Sequence, residues 1–400
     1  MVARHRAERD SGKRLLVLGA GPAQLGLLEA ARERELAVVA ADRDPSAVGF
    51  ALADRRAIVS NEDEPALERL AKAEAVDGVI APGVDWPVAI AARIADRLGL
   101  PHPISPETAV LATSKLRQRR RLDEAGVPQP RWQVVEGPEA VELAPPLVVK
   151  APDRQGQRGL SLVRTPEELG PAIEAARAAS RSGTCLVEEV ADGPEATVVG
   201  LMAGGALSAC VVTDRVVAEP PAFGVALAHI WPAALDAAAL ERVAEHAAAA
   251  LGVEEGPIYV QLRASRDGPK VVELAARLGG GHDAELANAA RGLDLNGAAL
   301  AAALGDPALV RHGTDAVGGA CTRFLVPPEG ELRVVGGVEE ALRVEGVFAV
   351  RIYRALGHRF GPFRTGADRA GAVQAVGADR SEAVARAAEA AARIRFDTFS

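Results

Sequence analysis

Val271-Val-Glu-Leu-Ala-Ala-Arg-Leu-Gly-Gly-Gly-His-Asp283 is the stretch on which the interpretation of this 400-residue chain depends. It begins as a short apolar strand and carries Glu273 and Arg277 four residues apart, ahead of three glycines and His282. A carboxylate at the end of a buried strand needs a partner, and Mg²⁺ prefers oxygen ligands that it shares with phosphates. A nearby arginine can bind a phosphoryl group bidentately, and glycines let a ligand approach the backbone. A structural ion pair followed by a flexible turn is the alternative.

Composition narrows the classes of function. A chain of 400 residues, 48% hydrophobic and 25% charged, is typical of a globular protein with two or three domains. No apolar run approaches the length of a membrane span, and the polar start of the chain lacks a secretory signal. The net charge of −8 argues against a general affinity for nucleic acid. Three widely spaced cysteines fit a reducing compartment and argue against a zinc site. We therefore expect a cytoplasmic protein without nucleic-acid or membrane partners.

Lysine is scarce in this chain. Of 46 basic residues only five are lysines, namely Lys13, Lys72, Lys115, Lys150 and Lys270. Because arginine is used almost wherever a positive charge suffices, a retained lysine points to a need for a compact ammonium group.

The first part of the chain predicts a parallel sheet with helices on both faces. The apolar run 14–19 leads into a glycine loop, Gly19 to Gly26, then a helical pattern and a second strand ending at Asp42. The loop spacing departs from the dinucleotide fingerprint, yet Asp42 lies about where a ribose-binding acid would, so a nicotinamide cofactor is one alternative. We expect this domain to span residues 1–112.

The middle of the chain predicts a hairpin over phosphates. The basic run of residues 117–121 is interpreted as a solvated helix face. The strand ending at Lys150 is followed by a polar loop with Gly156 and Gly159 and by a second strand. Such a loop can fold over phosphates, and a plain mobile hairpin is the alternative.

Two further strands supply acidic and amide groups. A strand leads to Glu188-Glu189-Val190-Ala191, a strand-end segment whose backbone can bind adenine, and Glu195 follows beyond a Gly-Pro turn. Gln261 lies on a strand joined to the opening stretch by a tight turn, so the two should pair antiparallel with Gln261 near Glu273. A small α+β segment with many arginines follows from residue 320.

Together these motifs resemble the ATP-grasp superfamily over nearly the whole chain. The resemblance implies an α/β fold: a Rossmann-like N-terminal domain (1–112), a split α+β ATP-grasp domain with a mobile lid (113–319, lid 130–190), and a small C-terminal α+β segment (320–400). Within the superfamily the chain is most similar to the L-amino-acid ligase and carboxylate-amine ligase group, on RLGGGHD and the run 357–377. Two departures are Gln261, where a glutamate is frequent, and Ala275, where an asparagine is usual.

The resemblance also implies roles for particular residues. The ATP-binding residues would be Lys115, Lys150, Gly156, Gly159, Glu188, Glu189, Val190, Ala191 and Glu195. Gln261 and Glu273 would bind Mg²⁺, with Mn²⁺ as an alternative, and Arg277 and Lys150 would be catalytic. His282, Gly280 and His229 are candidate substrate residues.

The implied reaction joins a small-molecule carboxylate to an amine through an acyl phosphate, consuming ATP. An ATP-dependent carboxylase using bicarbonate is the second hypothesis, because a similar alanine followed by Gly-His occurs in the ATP-dependent carboxylase of purine synthesis. A nicotinamide-dependent oxidoreductase and a nucleotide-binding module without turnover are further alternatives. The identity of the substrates and the number of metal ions stay open, as does the oligomeric state, for which a homodimer is one expectation.

Overall fold

The computed structural model describes residues 12–154, 157–310 and 316–399. The N-terminal part is a parallel four-stranded sheet in the order β3-β2-β1-β4. Its strands are β1 (Arg14–Leu18), β2 (Ala37–Asp42), β3 (Arg55–Ile58) and β4 (Gly78–Ile80), and its helices are α1 (Leu25–Glu33), α2 (Glu64–Glu74) and α3 (Trp86–Leu98). The buried apolar run of β1 is typical of a strand covered on both faces. The predicted parallel sheet is therefore confirmed.

Two helices lead from this sheet into a small antiparallel one. They are α4 (Pro106–Ala112) and α5 (Lys115–Glu124), and the small sheet has the order β5-β8-β6-β7. Its members are β5 (Trp132–Val135), β6 (Leu147–Lys150), β7 (Leu160–Val163) and β8 (Cys185–Glu189), with α6 (Leu169–Ala179) packed against it. It has its own apolar core, as a separately moving unit requires, and its role as a lid stays a prediction.

The largest sheet has eight strands, in the order β13-β12-β9-β10-β11-β14-β18-β16. Its first five strands in the chain are β9 (Glu195–Ala203), β10 (Ala206–Val217), β11 (Ala226–Trp231), β12 (Gly256–Ser265) and β13 (Gly268–Ala275), with helices α7 (Ala237–Ala250), α8 (Asp283–Arg291) and α9 (Leu295–Leu304). The predicted hairpin of β12 and β13 is present, and its register sets Gln261 opposite Glu273.

The C-terminal segment continues the large sheet and adds a three-stranded one, β17-β15-β19. Its elements are β14 (Gly319–Leu325), β15 (Gly330–Gly336), α10 (Val338–Leu342), β16 (Val347–Ile352), β17 (Arg359–Phe360), β18 (Gly371–Gly377), α11 (Arg380–Arg393) and β19 (Arg395–Phe399). The predicted α+β character is confirmed, and the predicted domain boundaries stay predictions. In the part of the chain that the structure describes, no helix is both long and apolar enough to cross a bilayer.

An arginine of the C-terminal segment bonds to a glutamate of the N-terminal domain. Arg351 on β16 donates to both carboxylate oxygens of Glu29 on α1, each at 2.6 Å, and lies 3.4 Å from Glu285 on α8. The Arg351 side chain is 10% exposed, so its removal would leave the carboxylate of Glu285 buried with one cation fewer.

We expect Arg351→Ala to lower the free energy of unfolding by roughly 1–3 kcal/mol, because the partly buried Glu285 would lose a cation while the more exposed Glu29 would be solvated by water. Arg343→Ala is the matched control, because the Arg343–Glu339 pair is 70% and 83% exposed and should contribute less than about 0.5 kcal/mol. Thermal unfolding midpoints of the two variants test this. Equal midpoints would show that the bridge does not stabilise the fold.

Candidate active site

Lys150 is buried at the end of β6 in an ion cluster with Glu188 and Arg119. Its Nζ atom lies 2.8 Å from Glu188 Oε2. From α5, Arg119 donates its Nε to Glu188 Oε1 at 2.7 Å and its Nη2 to Glu188 Oε2 at 3.0 Å. The same guanidinium donates to the carbonyls of Val271 and Val272 at 2.9 and 2.7 Å. The cluster therefore joins the small sheet to α5 and to β13.

Burial and neighbouring charges shift the pKa values in this cluster. Burial lowers the pKa of Lys150 to about 8, aided by repulsion from Arg119 and Lys115 and opposed by Glu188. Burial acts to raise the pKa of Glu188, but the charges of Arg119 and Lys150 outweigh it and the pKa falls to about 2. Glu188 is thus an anion at neutral pH, and Lys150 loses its proton slightly above neutrality.

Lys115 pairs with Glu273 at the start of α5. Ser114 caps this helix by accepting a hydrogen bond from Arg117 N, which orients the first turn. Lys115 Nζ lies 2.6 Å from Glu273 Oε1 and also donates to the carbonyl of Arg154, in the loop after β6, at 3.1 Å. Burial opposes ionisation of Glu273, but Lys115, Lys150 and Arg277 lower its pKa to about 2.

Near Glu273, few of the side chains that the structure describes offer an oxygen atom to a metal ion. Gln261 donates its Nε2 to Glu195 at 2.9 Å, which leaves the Gln261 Oε1 as the amide oxygen opposite Glu273. Ala275 is buried and offers no donor. In the described ranges no group of three or more His, Cys, Asp or Glu side chains could bind a metal ion. One carboxylate and one amide fit Mg²⁺ only when phosphate oxygens and water complete its octahedron.

Arg277 bonds to an aspartate from the N-terminal domain that the sequence interpretation missed. Its Nε donates to Asp85 Oδ1 at 2.7 Å, and its guanidinium lies over the ring of Tyr259, 5.5 Å from the centroid. Asp85 precedes α3 at the position of an N-cap but makes no capping hydrogen bond. An acidic residue directly before a helix is usually its N-cap, so the sequence alone gave no indication that Asp85 pairs with Arg277.

The predicted adenine and lid residues lie around the small sheet. Gly156 is outside the described residues, whereas Gly159 has a φ of +68° and a Cβ there would be 2.6 Å from Ala179 Cβ. Glu189 accepts hydrogen bonds from Arg131 at 2.8 Å and from Lys270 at 3.2 Å. Val190 and Ala191 follow the end of β8 directly. Their adenine role stays a prediction.

Glu195, predicted to bind ribose, lies in a buried ion network of the large sheet. It pairs with Arg215, bonds to Arg263 Nη2 at 2.7 Å and accepts the hydrogen bond from Gln261. All these donors come from the protein itself, so a ribose hydroxyl would have to share the carboxylate with them.

The glycine loop after Arg277 is packed tightly on both sides. A Cβ on Gly280 would lie 2.8 Å from the carbonyl oxygen of Gly83, and Gly83 N donates to the carbonyl of Leu278 at 3.2 Å. A Cβ on Gly281 would lie 3.0 Å from His229 Nε2. Burial lowers the pKa of His229 to about 4, so its imidazole is neutral.

His282 is bound on both ring nitrogens by protein groups. Its Nδ1 lies 3.0 Å from Glu285 Oε1, and its Nε2 lies 2.5 Å from Tyr353 Oη. Its backbone is left-handed, with a φ of 60° and a ψ of 29°, which is uncommon for a residue other than glycine. His282 is 4% exposed, so this network is almost completely closed from solvent.

The structure thus brings together part of the predicted set. Lys115, Lys150, Glu188, Glu273 and Arg277 act on one another electrostatically and form one cluster. Gln261 and Glu195 adjoin it on β12 and β9. The two histidines belong instead to a network with the C-terminal segment.

Three more functional candidates escaped the sequence interpretation. Arg119 is 2% exposed, so the prediction of a solvated helix face is wrong at this position. Tyr353 and Arg369 come from the C-terminal segment, and Arg369 lies 3.7 Å over the ring of Phe324. One usable signal existed for Tyr353, since the chain has only two tyrosines.

Two family models match parts of this chain. A family model described as ATP-grasp domain matches residues 143–285, the range that includes Lys150, Glu188, Glu273 and Arg277. Residues 143–285 therefore form an ATP-grasp domain. A second model, described as L-amino acid ligase C-terminal domain 2, matches residues 323–398. The two matches confirm the resemblance drawn from the sequence and group this ATP-grasp protein with ligases.

Alignments with similar proteins cover between about half and nearly all of this chain. An uncharacterized protein of Sinorhizobium fredii is 28% identical over 398 residues, which cover 94% of this chain and 81% of that protein. A formate-dependent phosphoribosylglycinamide formyltransferase of Burkholderia cenocepacia is 29% identical over 191 residues, or 46% of this chain and 47% of that protein. The crystal structure of L-amino acid ligase from Bacillus licheniformis superposes with a TM-score of 0.82 at 21% identity, covering 98% and 100% of the two chains. This likeness shows the same fold.

The pKa of Lys150 predicts how nucleotide use depends on pH. In the free protein Lys150 is protonated below about pH 8 and neutral above it. If the ammonium binds phosphates, kcat/KM for ATP should fall as the pH rises through about 8, because this parameter reports the free enzyme.

Lys150→Arg is the test variant, since a guanidinium stays charged throughout this range. Even if Lys150→Arg is less active than the wild type, its kcat/KM for ATP should not fall near pH 8. A fall of the same size and midpoint in both proteins would assign the titration to another group.

Proposed function

We propose that this chain is an ATP-dependent carboxylate-amine ligase that forms an amide or peptide bond through an acyl phosphate and releases ADP and phosphate. One observation carries the proposal. Two lysines from different elements, Lys115 and Lys150, converge with Arg277 and Glu273 in one partly buried, charge-paired cluster. Cations and a carboxylate so arranged suit a transferring phosphoryl group, for which catalysis is mainly positioning and charge stabilisation.

ATP would lie between the small sheet and the cluster. Lys115 and Lys150 would bind its phosphates under the loop that follows β6, and the backbone of residues 188–191 would bind adenine. Glu189 and Glu195 are the carboxylates proposed for the ribose hydroxyls. The first glycine loop is less suited to a dinucleotide, because the buried side chain of Gln24 already accepts a hydrogen bond from Gly21 N at 2.9 Å.

Glu273 and the amide oxygen of Gln261 are the groups that would hold Mg²⁺, or Mn²⁺ as the alternative. When bound, such an ion polarises phosphoryl oxygens and neutralises the charge that develops on them. Glu273 also bonds to Lys115, so it orients a phosphate-binding cation besides offering its oxygen to the metal.

The remaining residues would act on the acyl phosphate. Lys150 and Arg277 would stabilise the negative charge of the transferring phosphoryl group, and Asp85 would orient Arg277. Closure of the small sheet over the site would exclude water, which otherwise hydrolyses the intermediate. An amine then attacks the acyl carbon. His282, Gly280 and His229 stay the proposed substrate residues, and a homodimer stays a prediction.

The second candidate is an ATP-dependent carboxylase that uses bicarbonate. Two observations favour it: Ala275 stands where an asparagine ligand is usual, and His282 directly follows the glycine loop. The match of residues 323–398 to an L-amino acid ligase domain supports the ligase instead.

We expect ADP release to require an organic carboxylate, and hydroxylamine to trap the acyl phosphate as a hydroxamate. A screen of carboxylate and amine pairs, each with and without bicarbonate, measures this. Lys150→Ala should reduce the rate by roughly 10²–10³-fold, as removal of a preorganised charge does. Lys72→Ala, on the exposed face of α2, is the matched control and should leave it unchanged. ADP release that needs bicarbonate and no organic carboxylate would make the carboxylase the better hypothesis.

Metal titration of turnover tests the role of Glu273. Because Glu273 is the carboxylate of the donor pair, Glu273→Gln should raise the Mg²⁺ concentration needed for half-maximal turnover by roughly tenfold or more. Gln261→Ala, which removes a neutral donor, should raise it less. The reverse order would show that Glu273 serves to orient Lys115 and not to bind metal.

A further inference from the structure

Besides the cluster of Lys115, Lys150 and Arg277, the structure contains a line of hydrogen-bonded side chains near the C-terminal segment. Glu285, His282 and Tyr353 follow one another at 3.0 and 2.5 Å, and they come from α8, the loop before it and the segment after β16. Arg351 and Glu29 extend the line behind Glu285. The line begins five residues after Arg277, at the end of the glycine loop. Arg369 interacts electrostatically with both Tyr353 and Tyr259, and Arg277 lies over the Tyr259 ring, so the line lies near the proposed site of the acyl phosphate.

The chemistry of the three groups fixes the direction of the hydrogen bonds. An ionised carboxylate can only accept, so His282 Nδ1 must carry a proton and donate it to Glu285. In a neutral imidazole the Nε2 atom is then an acceptor, and the Tyr353 hydroxyl donates to it. The remaining lone pairs of Tyr353 Oη are left to accept a proton. This tautomer is the one that a carboxylate-imidazole pair selects.

Several features indicate that these three side chains have a functional and not only a structural role. His282 keeps an unfavourable left-handed backbone at an interior position, and such strain persists where the surroundings over-determine it, often at functional sites. The buried His282 and Tyr353 and the partly buried Glu285 cost more desolvation than apolar packing would. The other charged or titratable groups around the line are His229, Asp283, Arg351, Arg354 and Arg369. Burial raises the pKa of the Tyr353 hydroxyl although these arginines oppose the rise, so the hydroxyl can give up its proton only as another proton replaces it.

Amide formation needs a proton acceptor. An amine substrate is an ammonium ion at neutral pH and cannot attack an acyl carbon until it loses one proton. The described cluster of Lys115, Lys150 and Arg277 is cationic, and its carboxylates are paired with those cations, so none of its groups is suited to accept that proton.

We propose that Tyr353, His282 and Glu285 form a relay that deprotonates the amine substrate, a role that rests on the proposed ligase function. The ammonium gives one proton to Tyr353 Oη while the Tyr353 hydroxyl proton moves to His282 Nε2. Glu285 stabilises the imidazolium so formed, and Arg351 positions Glu285. The free amine forms the C–N bond, the C–O bond to phosphate breaks, and phosphate leaves with the electron pair. The second nitrogen proton goes to the departing phosphate.

The test uses two nucleophiles in the full chain with Mg-ATP and the best carboxylate from the screen. Hydroxylamine is already neutral at pH 7 and needs no base, whereas the most active proteinogenic L-amino acid must be deprotonated. Tyr353→Phe keeps the ring and removes only the hydroxyl. It should lower kcat/KM for the amino acid by roughly 10²-fold or more, the usual contribution of general-base catalysis, and leave hydroxamate formation almost unchanged. Raising the pH should restore the amino-acid rate in the variant but not in the wild type.

Controls keep this outcome interpretable. Glu285→Gln, a second isosteric variant, should show the same selective loss. His102→Gln changes a histidine that bonds to the carbonyl of Ile104 and to none of the three groups, and it should show no loss. Equal losses with both nucleophiles would give the three groups a structural role and overturn the relay. If the wild type forms no hydroxamate with any carboxylate, the proposed function fails and the relay fails with it, an outcome distinct from the first.

Discussion

Burial of the Glu188 carboxylate beneath two cations is the constraint on which the site depends. An ion taken out of water loses several kcal/mol of solvation, so Glu188 can stay ionised only while both Arg119 and Lys150 bond to it. Those cations come from α5 and β6, and Arg119 bonds onward to the carbonyls of β13. One carboxylate therefore fixes the small sheet relative to α5 and to the strand that ends in Glu273. The small sheet and α5 must assemble together, because Arg119 without Glu188 would be a buried cation left unpaired, and β13 completes the hydrogen bonds of its guanidinium.

The same constraint explains why the cations proposed to bind phosphate are preorganised. Lys115 and Lys150 are held by Glu273 and Glu188, and Arg277 by Asp85, so each cation is oriented before a nucleotide arrives. A cation fixed in this way does not have to reorganise when negative charge develops on a phosphoryl group, which is the main source of electrostatic catalysis. The supporting carboxylates lower the net positive charge of the site. They also hold each cation in a fixed position and orientation.

How much of this arrangement the sequence could predict depends on the kind of signal. Glu273, Lys150 and the β12–β13 register were predictable, because strand ends, scarce lysines and a tight turn mark them locally. Arg119 was not, because helical periodicity cannot distinguish an exposed arginine from one buried by a distant carboxylate. Asp85 and Tyr353 were missed for the same reason, since their partners lie 192 and 71 residues away in sequence. Local patterns identify the groups that a site needs, whereas tertiary contacts decide which additional groups complete it.

Charge balance gives a further physical reason to propose a nucleotide beside this cluster. The chain carries a net charge of −8, so a multiply anionic ligand is repelled by the molecule as a whole. The described cluster reverses that sign locally, because Lys115, Lys150, Arg119 and Arg277 carry four positive charges against the three carboxylates of Glu188, Glu273 and Asp85. The excess of one charge is small, so a bound divalent cation would supply most of the remaining compensation for a triphosphate. Ala275 sharpens this dependence, since an asparagine there would have added a donor from the protein itself. Nucleotide and metal ion should therefore bind as a unit, each weakly without the other.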